Sequence, residues 1–470
     1  MKQFSTVLKS LLFIFLLTIP YTKSNNVNLP NLQKDVSERS LGNPSYVVGQ
    51  YWFRRLNSSN QLIDFPPAYD YLTEKLNAIL VYTNLQNKHI EIGLLNNTIS
   101  NAFVIPGNHL FLYSDIIQLL DTEEKLLALL AHEVAHLDAK HYERQQQNSL
   151  QEQQKVLALI GASIALTLAG SDIEAGSALW LGGIANHSEN ALSYSRSQEQ
   201  EADRIAKHYL NQLGVNDSAM NKLFQSFSKA SPRREQNEFL STHPVPQNRA
   251  ADALSTESPK SILFKQESHL FNYFNATLLV YRSLLNKTPY TTHQENINPS
   301  VKHYTDALYA WLTGNFENIN SMINSLNKSN PFEAYLKTKL YIQNNEDHNA
   351  LTLIREKLSL NPEDVNYLVL LAELTHSNKT LSLDRSYYQY QKKQVIDALI
   401  DHHTHHQNLP LTLAHIAQKK FHQGKTQEAL AHLQRAKQLA NKDELIVISK
   451  ILLDITIIIE AQKKLDLPDG

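Results

Sequence analysis

Cysteine is absent from this chain of 470 residues, and neither sign of charge is in clear excess. Without a thiol there is no disulfide and no attachment site for an N-terminal lipid, so an apolar core must hold the fold together. The 44 Lys and Arg residues nearly balance the 46 Asp and Glu residues. Composition therefore gives no support to a nucleic-acid-binding surface, and we expect no nucleic-acid partner. The length, with 42 % apolar residues, predicts two or three domains.

The N-terminal apolar run is too short to span a membrane comfortably. Residues 10–20 are apolar, follow two lysines, and are followed by the small residues Thr22 and Ser24 at the spacing of a signal-peptidase site. This pattern predicts a cleavable signal peptide at 1–24, with an uncleaved N-terminal anchor as the alternative. A polar lead-in is predicted at 25–45.

A second apolar stretch covers residues 156–185, rich in Ala, Gly, Leu and Ile. Its first run, 156–170, is about 15 residues long and so falls short of the ~20 that a spanning helix needs. We predict a buried helical hairpin near the active site. The alternative is a flap that contacts membrane or an apolar substrate.

Residues 46–265 mix strand-like and helical patterns. The segment 89–95 alternates polar and apolar residues, as a strand does, while 102–105 and 109–113 are two short apolar runs separated by Pro106-Gly107-Asn108. The two short runs and their turn residues predict a hairpin. Next comes Asp121-Thr-Glu-Glu, which fits a helix N-cap at Asp121. The following helix, 126–137, is apolar nearly all round and should be central and buried.

This buried helix carries the motif His132-Glu133-Val-Ala-His136. Residues four apart share a helix face, so both imidazoles can bind one ion, and neutral imidazole suits Zn²⁺. Glu133 would lie beside the ion and act as the general base for the attacking water. The alternative is an exposed His-Glu-His face with no metal.

A third ligand is predicted in Ser195-Arg-Ser-Gln-Glu199-Gln-Glu201-Ala-Asp203, which begins another helix that ends near Gly214. Glu199 and Asp203 share a face, so one carboxylate can bind zinc while the other accepts a hydrogen bond from a ligand histidine. Glu201 points elsewhere on the helix and is the weaker candidate for the third ligand. The alternative is an acidic helix start favoured by the helix dipole.

From residue 301 to 470 the pattern becomes helix after helix, after a connector at 266–300. Turn residues recur at a spacing of 17, as in Gly314 with Pro331 and Gly424 with Asn441. Asn361-Pro-Glu-Asp is predicted to open another helix, with its proline in the first turn. The pattern predicts about four tetratricopeptide-like repeats, with a generic helical bundle as the alternative. His402, His403, His405 and His406 are predicted to lie in a solvated loop between repeats, where adventitious metal binding is the other interpretation.

The HExxH motif followed by Ser-Arg-x-x-Glu-x-Glu-Ala-Asp resembles the zinc metallopeptidases that include HtpX and the prenyl-protein (CAAX) proteases. Asn101-Ala-Phe-Val-Ile-Pro-Gly resembles the family's strand before the active-site helix, and Thr242-His243-Pro244 with Arg249 resembles its further His-Pro…Arg element. Asn108 departs from the second glycine that many members have, which puts only the local turn in doubt. The resemblance implies an α+β fold: a mainly helical gluzincin domain with a small sheet at 46–265, then the α-helical tetratricopeptide-repeat domain at 301–470.

For the site, the resemblance implies one Zn²⁺ per chain, held by His132, His136 and Glu199, with Asp203 behind them. His243 would be a fourth ligand that keeps the enzyme latent, an oxyanion stabiliser, or a loop histidine without a role. Arg249 would hold a substrate carbonyl or the loop itself. Tyr194 is a weaker oxyanion donor.

For the biology, the resemblance to the periplasmic, repeat-bearing branch of this family implies quality control of outer-membrane β-barrel proteins. Misfolded or stalled outer-membrane proteins would be substrates, and the repeats would dock the β-barrel assembly machinery, because stacked helix pairs form a concave surface. The protein would be periplasmic, peripherally associated with the outer membrane, and have chaperone activity. The alternatives are a repeat-based scaffold with a latent metal site, and a membrane-embedded protease if 156–185 inserts.

Overall fold

The fold is given by a computed structural model, whose described residues lie between Ser40 and Leu467. The predicted signal peptide, the 156–185 segment and Arg249 lie outside the described residues. The structure describes residues 40–57, 62–98, 100–105, 107–146, 194–216, 218–230, 243, 269–287, 298–379, 381 and 388–467.

The N-terminal part contains a three-stranded sheet, with helices before and after it along the chain. The prediction of an α+β fold, mainly helical with a small sheet, is therefore confirmed. The sheet contains β1 (Glu91–Leu95), β2 (Ala102–Ile105) and β3 (His109–Tyr113). The helices are α1 (Pro44–Asn57), α2 (Pro66–Leu80), a 3₁₀ helix (Ser114–Leu119), α3 (Glu123–Asp138), α4 (His141–Gln146), α5 (Arg196–Gln212), α6 (Ser218–Ala230) and α7 (His269–Leu285).

The strand order is β1-β3-β2. The predicted hairpin is confirmed, since β2 pairs antiparallel with β3. Its turn uses Gly107 and Asn108, both in the left-handed region at φ 80° and 60°. Asparagine tolerates this conformation better than most residues, so Asn108 fits the turn without a glycine. β1 pairs parallel with β3.

Helix α3 is buried along its length, as predicted. Residues Leu126, Ala128 and Leu130 have no exposed surface. The predicted N-cap at Asp121 is wrong by one residue: the Thr122 side chain accepts from the Lys125 N–H, and Asp121 pairs with the Lys125 ammonium instead.

Helix α5 begins where the sequence predicts. Ser195 and Gln198 form a capping box, in which each side chain accepts from the other residue's backbone N–H. The chain leaves the helix through Gly214 at φ 76°. This start fixes the positions of the acidic residues in the first two turns.

Helices follow one another through the C-terminal part. Gly314, Asn345 and Gly424 all have positive φ, which confirms them as turn residues. The helix predicted to start at Asn361 begins later, because Asp364 caps it. Their bounds are α8 (Pro299–Thr313), α9 (Ile319–Ser325), α10 (Pro331–Gln343), α11 (Asp347–Leu360), α12 (Val365–Thr375), α13 (Gln389–His405), α14 (Leu409–His422), α15 (Thr426–Leu439) and α16 (Lys442–Lys463).

One hydrophobic core runs from the N-terminal part into these helices. It extends from Ile63 to Leu370 and includes residues of α2, β1, α3, α7 and α10. Helix α7 lies within the predicted connector and contributes Phe271 and Phe274 to this core. Among the described residues, no helix combines the length and apolar character that crossing a membrane requires.

Candidate metal centre

Four buried side chains converge on one point. His132 and His136 come from α3, Glu199 from α5, and His243 from the chain between α6 and α7. One ligand atom from each lies within 4.8 Å of the other three, and all four residues are at most 2 % exposed. The structure therefore brings together the predicted zinc ligands and the histidine that sequence analysis assigned on resemblance alone.

The spacing of the donor atoms fits a tetrahedron around zinc. His132 Nε2 lies 3.1 Å from His136 Nε2, 3.4 Å from His243 Nδ1 and 3.5 Å from Glu199 Oε2. Glu199 Oε1 lies 3.4 Å from His136 Nε2 and 3.0 Å from His243 Nδ1. Bonds of about 2.0–2.1 Å to Zn²⁺ would place tetrahedral corners about 3.3 Å apart. Three imidazoles and one carboxylate also suit zinc better than Ca²⁺ or Mg²⁺, which prefer oxygen.

The first two turns of α5 supply the acidic partners of the histidines. Asp203 Oδ1 lies 3.0 Å from His132 Nδ1, on the side of the ring opposite the ligand nitrogen. Burial lowers the pKa of His132, but the carboxylates of Asp203 and Glu199 outweigh it and raise that pKa to about 10. A metal ion must therefore displace a proton from His132.

Glu199 is charged in this setting. Burial alone would raise its pKa, but His243, His132 and His136 lower it well below its usual range. For His136, burial outweighs the effect of Glu199, so its pKa lies well below the usual value. A neutral imidazole and a charged carboxylate are the forms that bind zinc.

Glu133 faces the ligand group without joining it. It is fully buried, and neither carboxylate oxygen has a hydrogen-bond partner among the described residues. Its Oε1 lies 3.6 Å from His243 Nε2. Burial raises the pKa of Glu133, partly offset by His243. Burying a carboxylate without a hydrogen-bond partner is costly unless the group is protonated or binds a water molecule. A general base does both in turn, so this setting suits that role.

His136 also has a side chain behind its ring, which the sequence did not predict. His141 opens α4 and is fully buried, with its Nδ1 2.8 Å from His136 Nδ1. Its Nε2 lies 3.2 Å from Glu201 Oε2, and Arg144 donates two hydrogen bonds to that carboxylate. The Arg144 hydrogen bonds, with a smaller contribution from His141, lower the pKa of Glu201 to about 2. The only signal in the sequence was a histidine five residues after His136.

The aromatic ring of Tyr194 packs against two histidines of the donor group. Its centroid is 3.8 Å from that of His136 at an interplanar angle of 25°, and 5.4 Å from that of His243. Burial, and then the charges of Glu133 and Glu199, raise the pKa of its hydroxyl well above the usual value. The oxyanion role assigned to Tyr194 stays a prediction.

The prediction of a solvated loop at the C-terminal histidines is wrong. His402, His403 and His405 lie in the last turn of α13, and His406 caps it. The His405 ring stacks on His376 with centroids 3.9 Å apart, and the His403 ring stacks on buried His415. The helix continues because its apolar residues Val395, Ile396 and Leu399 pack in the interior.

Comparison with known proteins also indicates a metallopeptidase. The profile of peptidase family M48 matches residues 68–257. The Beta-barrel assembly-enhancing protease of Escherichia coli (strain K12) is 26 % identical over 333 residues, which are 69 % of this chain and 68 % of that protein. The protein of the same name from Yersinia pestis is 31 % identical over 212 residues, covering 44 % and 42 % of the two chains. The Mitochondrial metalloendopeptidase OMA1 of Schizosaccharomyces pombe is 26 % identical over 219 residues, or 45 % and 58 %.

Proposed function

We propose that this chain, a metallopeptidase with a family M48 domain, is a zinc-dependent endopeptidase of the bacterial periplasm that acts on outer-membrane β-barrel proteins. The observation that carries the enzymatic part is the tetrahedral set of four buried donors beside Glu133. The relatives named for β-barrel assembly support the choice of substrate.

The residues around the donor set divide the chemistry between them. His132, His136 and Glu199 would hold the zinc, which polarises the attacking water and the scissile carbonyl when bound. Glu133 takes a proton from that water and passes it to the leaving amine. Burial raises the pKa of Glu133 and so makes it a better proton acceptor than an exposed carboxylate. Asp203 orients His132.

His243 occupies the fourth corner of the donor set, which a catalytic zinc site leaves to water or substrate. With His243 Nδ1 3.0 Å from Glu199 Oε1 and its Nε2 facing Glu133, no corner remains for water. We propose that this arrangement is a latent state, and that withdrawal of His243 opens the site. The same imidazole, once withdrawn, is placed to stabilise the oxyanion, which is the alternative role. Arg249 would support the substrate or this loop.

A substrate strand would add to the edge of the sheet. β3 is the central strand, so β1 and β2 form the two edges. The outer side of β1 is partly covered, since Ile63 N–H donates to Leu94 O and Leu62 bridges to Leu95. Among the described residues, no strand or bridge pairs with the outer side of β2. We propose that β2 is the edge strand that offers its backbone to a peptide, and it precedes the metal-binding helix. Unfolded β-barrel strands are extended peptides of the right kind.

We propose that the C-terminal helical repeats form the surface that docks onto other proteins. Paired helices such as α10–α11 and α14–α15 meet at turns with positive φ, as tetratricopeptide repeats do. We propose that they bind the β-barrel assembly machinery and support chaperone activity, with peripheral association at the outer membrane. A scaffold with a latent metal site is the second candidate, and the closed fourth corner favours it.

The test measures zinc content and cleavage of casein by wild type, Glu133→Gln and His243→Ala. We expect one zinc per chain in all three, loss of cleavage by a factor of about 10²–10⁴ in Glu133→Gln, and faster basal cleavage in His243→Ala. Glu124→Gln is the matched control, because Glu124 lies on the same helix and pairs with Lys222 instead.

Each outcome separates the candidates. Proteolysis that survives Glu133→Gln would remove the proposed mechanism. A His243→Ala protein that binds zinc normally but cleaves more slowly than wild type would assign the oxyanion role. Zinc binding without cleavage of casein or of an unfolded β-barrel precursor in any variant would favour the scaffold.

A further inference from the structure

We infer that His141 is a positioning residue that fixes the metal ligand His136, and that Glu201 and Arg144 anchor it. The inference rests on the proposed zinc site. It adds a group that holds His136 in place, as Asp203 holds His132. Four contacts in series carry it: Arg144 to Glu201, Glu201 to His141, His141 to His136, and His136 to the other donors.

The hydrogen positions in this series follow from geometry. His136 Nε2 faces the donor group, 3.1 Å from His132 Nε2 and 3.4 Å from Glu199 Oε1, so it must be unprotonated to bind a metal. A neutral His136 then carries its proton on Nδ1. Because His141 Nδ1 lies 2.8 Å away, it must accept that proton's hydrogen bond.

His141 is then left with its own proton on Nε2. That nitrogen lies 3.2 Å from Glu201 Oε2, and a carboxylate can only accept. Arg144 donates from Nη2 to Oε2 at 2.6 Å and from Nη1 to Oε1 at 3.2 Å, which holds the carboxylate in place. Only one arrangement of protons satisfies all of these contacts.

The two ligand histidines therefore differ in their support. His132 contacts the carboxylate of Asp203 directly, whereas His136 reaches the carboxylate of Glu201 through a second imidazole. A partner behind the ligand ring fixes its orientation and strengthens it as a donor. Helix α5 thus supplies Glu199 to the metal site and one carboxylate behind each histidine.

Local structure explains why His141 reaches its place. Helix α3 ends at Asp138, Ala139 follows in the right-handed region, and Lys140 has φ 51°. This left-handed residue turns the chain, and His141 starts α4 with its side chain against the last turn of α3. Gln198 Nε2 donates to the backbone carbonyl of His141 and secures the turn on α5.

The experiment compares wild type with His141→Phe, His141→Asn and Glu201→Gln in the full chain. Phenylalanine keeps a ring in the buried space but cannot accept from His136, whereas the amide oxygen of asparagine takes the place of Nδ1. The readouts are the Kd for zinc, by competition with a chelator, and the visible absorption spectrum of the Co²⁺-substituted protein. The thermal midpoint of the metal-free protein reports the fold. His208→Phe, on exposed His208 of α5, is the matched control.

We expect His141→Phe to weaken zinc binding by about 10–100-fold and to change the Co²⁺ spectrum. Glu201→Gln should give a smaller loss in the same direction. His141→Asn should restore the affinity to within about threefold of wild type, because the acceptor returns. His208→Phe should match wild type.

Unchanged zinc affinity and Co²⁺ spectrum in His141→Phe would overturn the inference, even if the metal-free protein is less stable, because that result assigns a merely structural role. Failure of His141→Asn to bind better than His141→Phe would also count against it. A wild-type protein that binds no zinc would remove both this inference and the proposed function. Zinc binding without cleavage by either wild type or His243→Ala would remove the proposed function alone.

Discussion

At the scale of the residue, three acidic side chains in two turns of one helix meet three different environments. Glu199 is 1 % exposed and faces three imidazoles, Asp203 lies behind His132, and Glu201 is partly exposed and paired with Arg144. Spacing on the helix sets this division, because residues four apart share a face and the residue between them points away. We therefore propose three different roles for carboxylates on one helix: metal ligand for Glu199, support of His132 for Asp203 and anchor of His141 for Glu201.

The support role of Asp203 can be tested on its own. Asp203→Ala removes the carboxylate 3.0 Å from His132 Nδ1 and leaves that nitrogen buried without a partner. We expect the Kd for zinc to rise about 10–100-fold, measured by chelator competition. Gln200→Ala, at an exposed neighbouring position on α5, should bind zinc as wild type does. Equal affinity in the Asp203 and Gln200 variants would contradict the assignment.

The sequence predicts His132, His136, Glu199 and Asp203 because helical spacing alone brings each pair to one face. It does not predict His141, whose place depends on the left-handed turn at Lys140. No spacing rule gives the direction in which a chain leaves such a turn. His243 is separated from the helix by more than a hundred residues, so only its resemblance to a known element pointed to it.

At the scale of the element, the end of α13 shows histidines used for packing. The His403 ring stacks on His415 of α14, with centroids 5.1 Å apart and an angle of 11°. Both rings are buried. Burial, and then the neighbouring His415, His402 and His406, lower the pKa of His403 to about 4. The neutral imidazole is the form that fits between these helices.

This contact makes the stability of the protein depend on pH. In the unfolded chain His403 takes up a proton near its ordinary pKa of about 6.5. The unfolded state therefore binds more protons between pH 6.5 and about 4, and stability falls as pH drops through this window. The loss at pH 5 from this residue is at most about 2 kcal/mol, because 1.5 pH units at about 1.4 kcal/mol each apply and solvent screening reduces the total.

His403→Phe keeps a ring in the stack but cannot be protonated. The free energy of unfolding in urea, measured at pH 7.5 and pH 5, should fall less in this variant than in wild type. The control is His348→Phe at an exposed position of α11, which should lose as much stability as wild type. An equal loss in all three proteins would show that His403 does not contribute.

The elements themselves were predictable to different degrees. The hairpin of β2 and β3 follows from local signals, since its two strands are joined by three turn residues. The parallel pairing of β1 with β3 brings Ile92 beside Leu110 and needs a connection that no local pattern specifies. Polar histidines at 402–406 suggest a loop, but the apolar residues before them extend α13 to His405.

At the scale of the whole molecule, α13 joins the C-terminal helices to the part that carries the candidate metal centre. Its first residue, Gln389, donates its backbone N–H to Glu91 of β1 and its side-chain amide to Gln50 of α1. Just before it, the Tyr388 ring stacks on His89 with centroids 4.2 Å apart. These partners are about 300 residues distant in sequence, so no sequence pattern predicts them. The predicted domain boundaries at 265 and 301 stay a prediction.

Tyr390 makes two contacts across this junction. Its ring stacks on Tyr69 of α2 with centroids 4.4 Å apart, and its hydroxyl donates to Asp70 at 2.6 Å. The core beneath it runs from α2 into the C-terminal helices, as far as Leu370. We therefore expect the candidate metal centre and the C-terminal helices to unfold together, so that loosening this contact destabilises both.

We expect Tyr390→Ala to lower the free energy of unfolding by about 2–3 kcal/mol, since it removes a half-buried aromatic stack and a hydrogen bond. Tyr390→Phe keeps the stack and should lose only about 1 kcal/mol. The control is Tyr82→Ala, because Tyr82 is exposed after α2. Urea unfolding would be followed by far-ultraviolet circular dichroism and by zinc release, with coincident midpoints expected in every variant. If zinc release kept its wild-type midpoint while the helical signal moved in Tyr390→Ala, the repeats would unfold on their own and α13 would not couple the two parts.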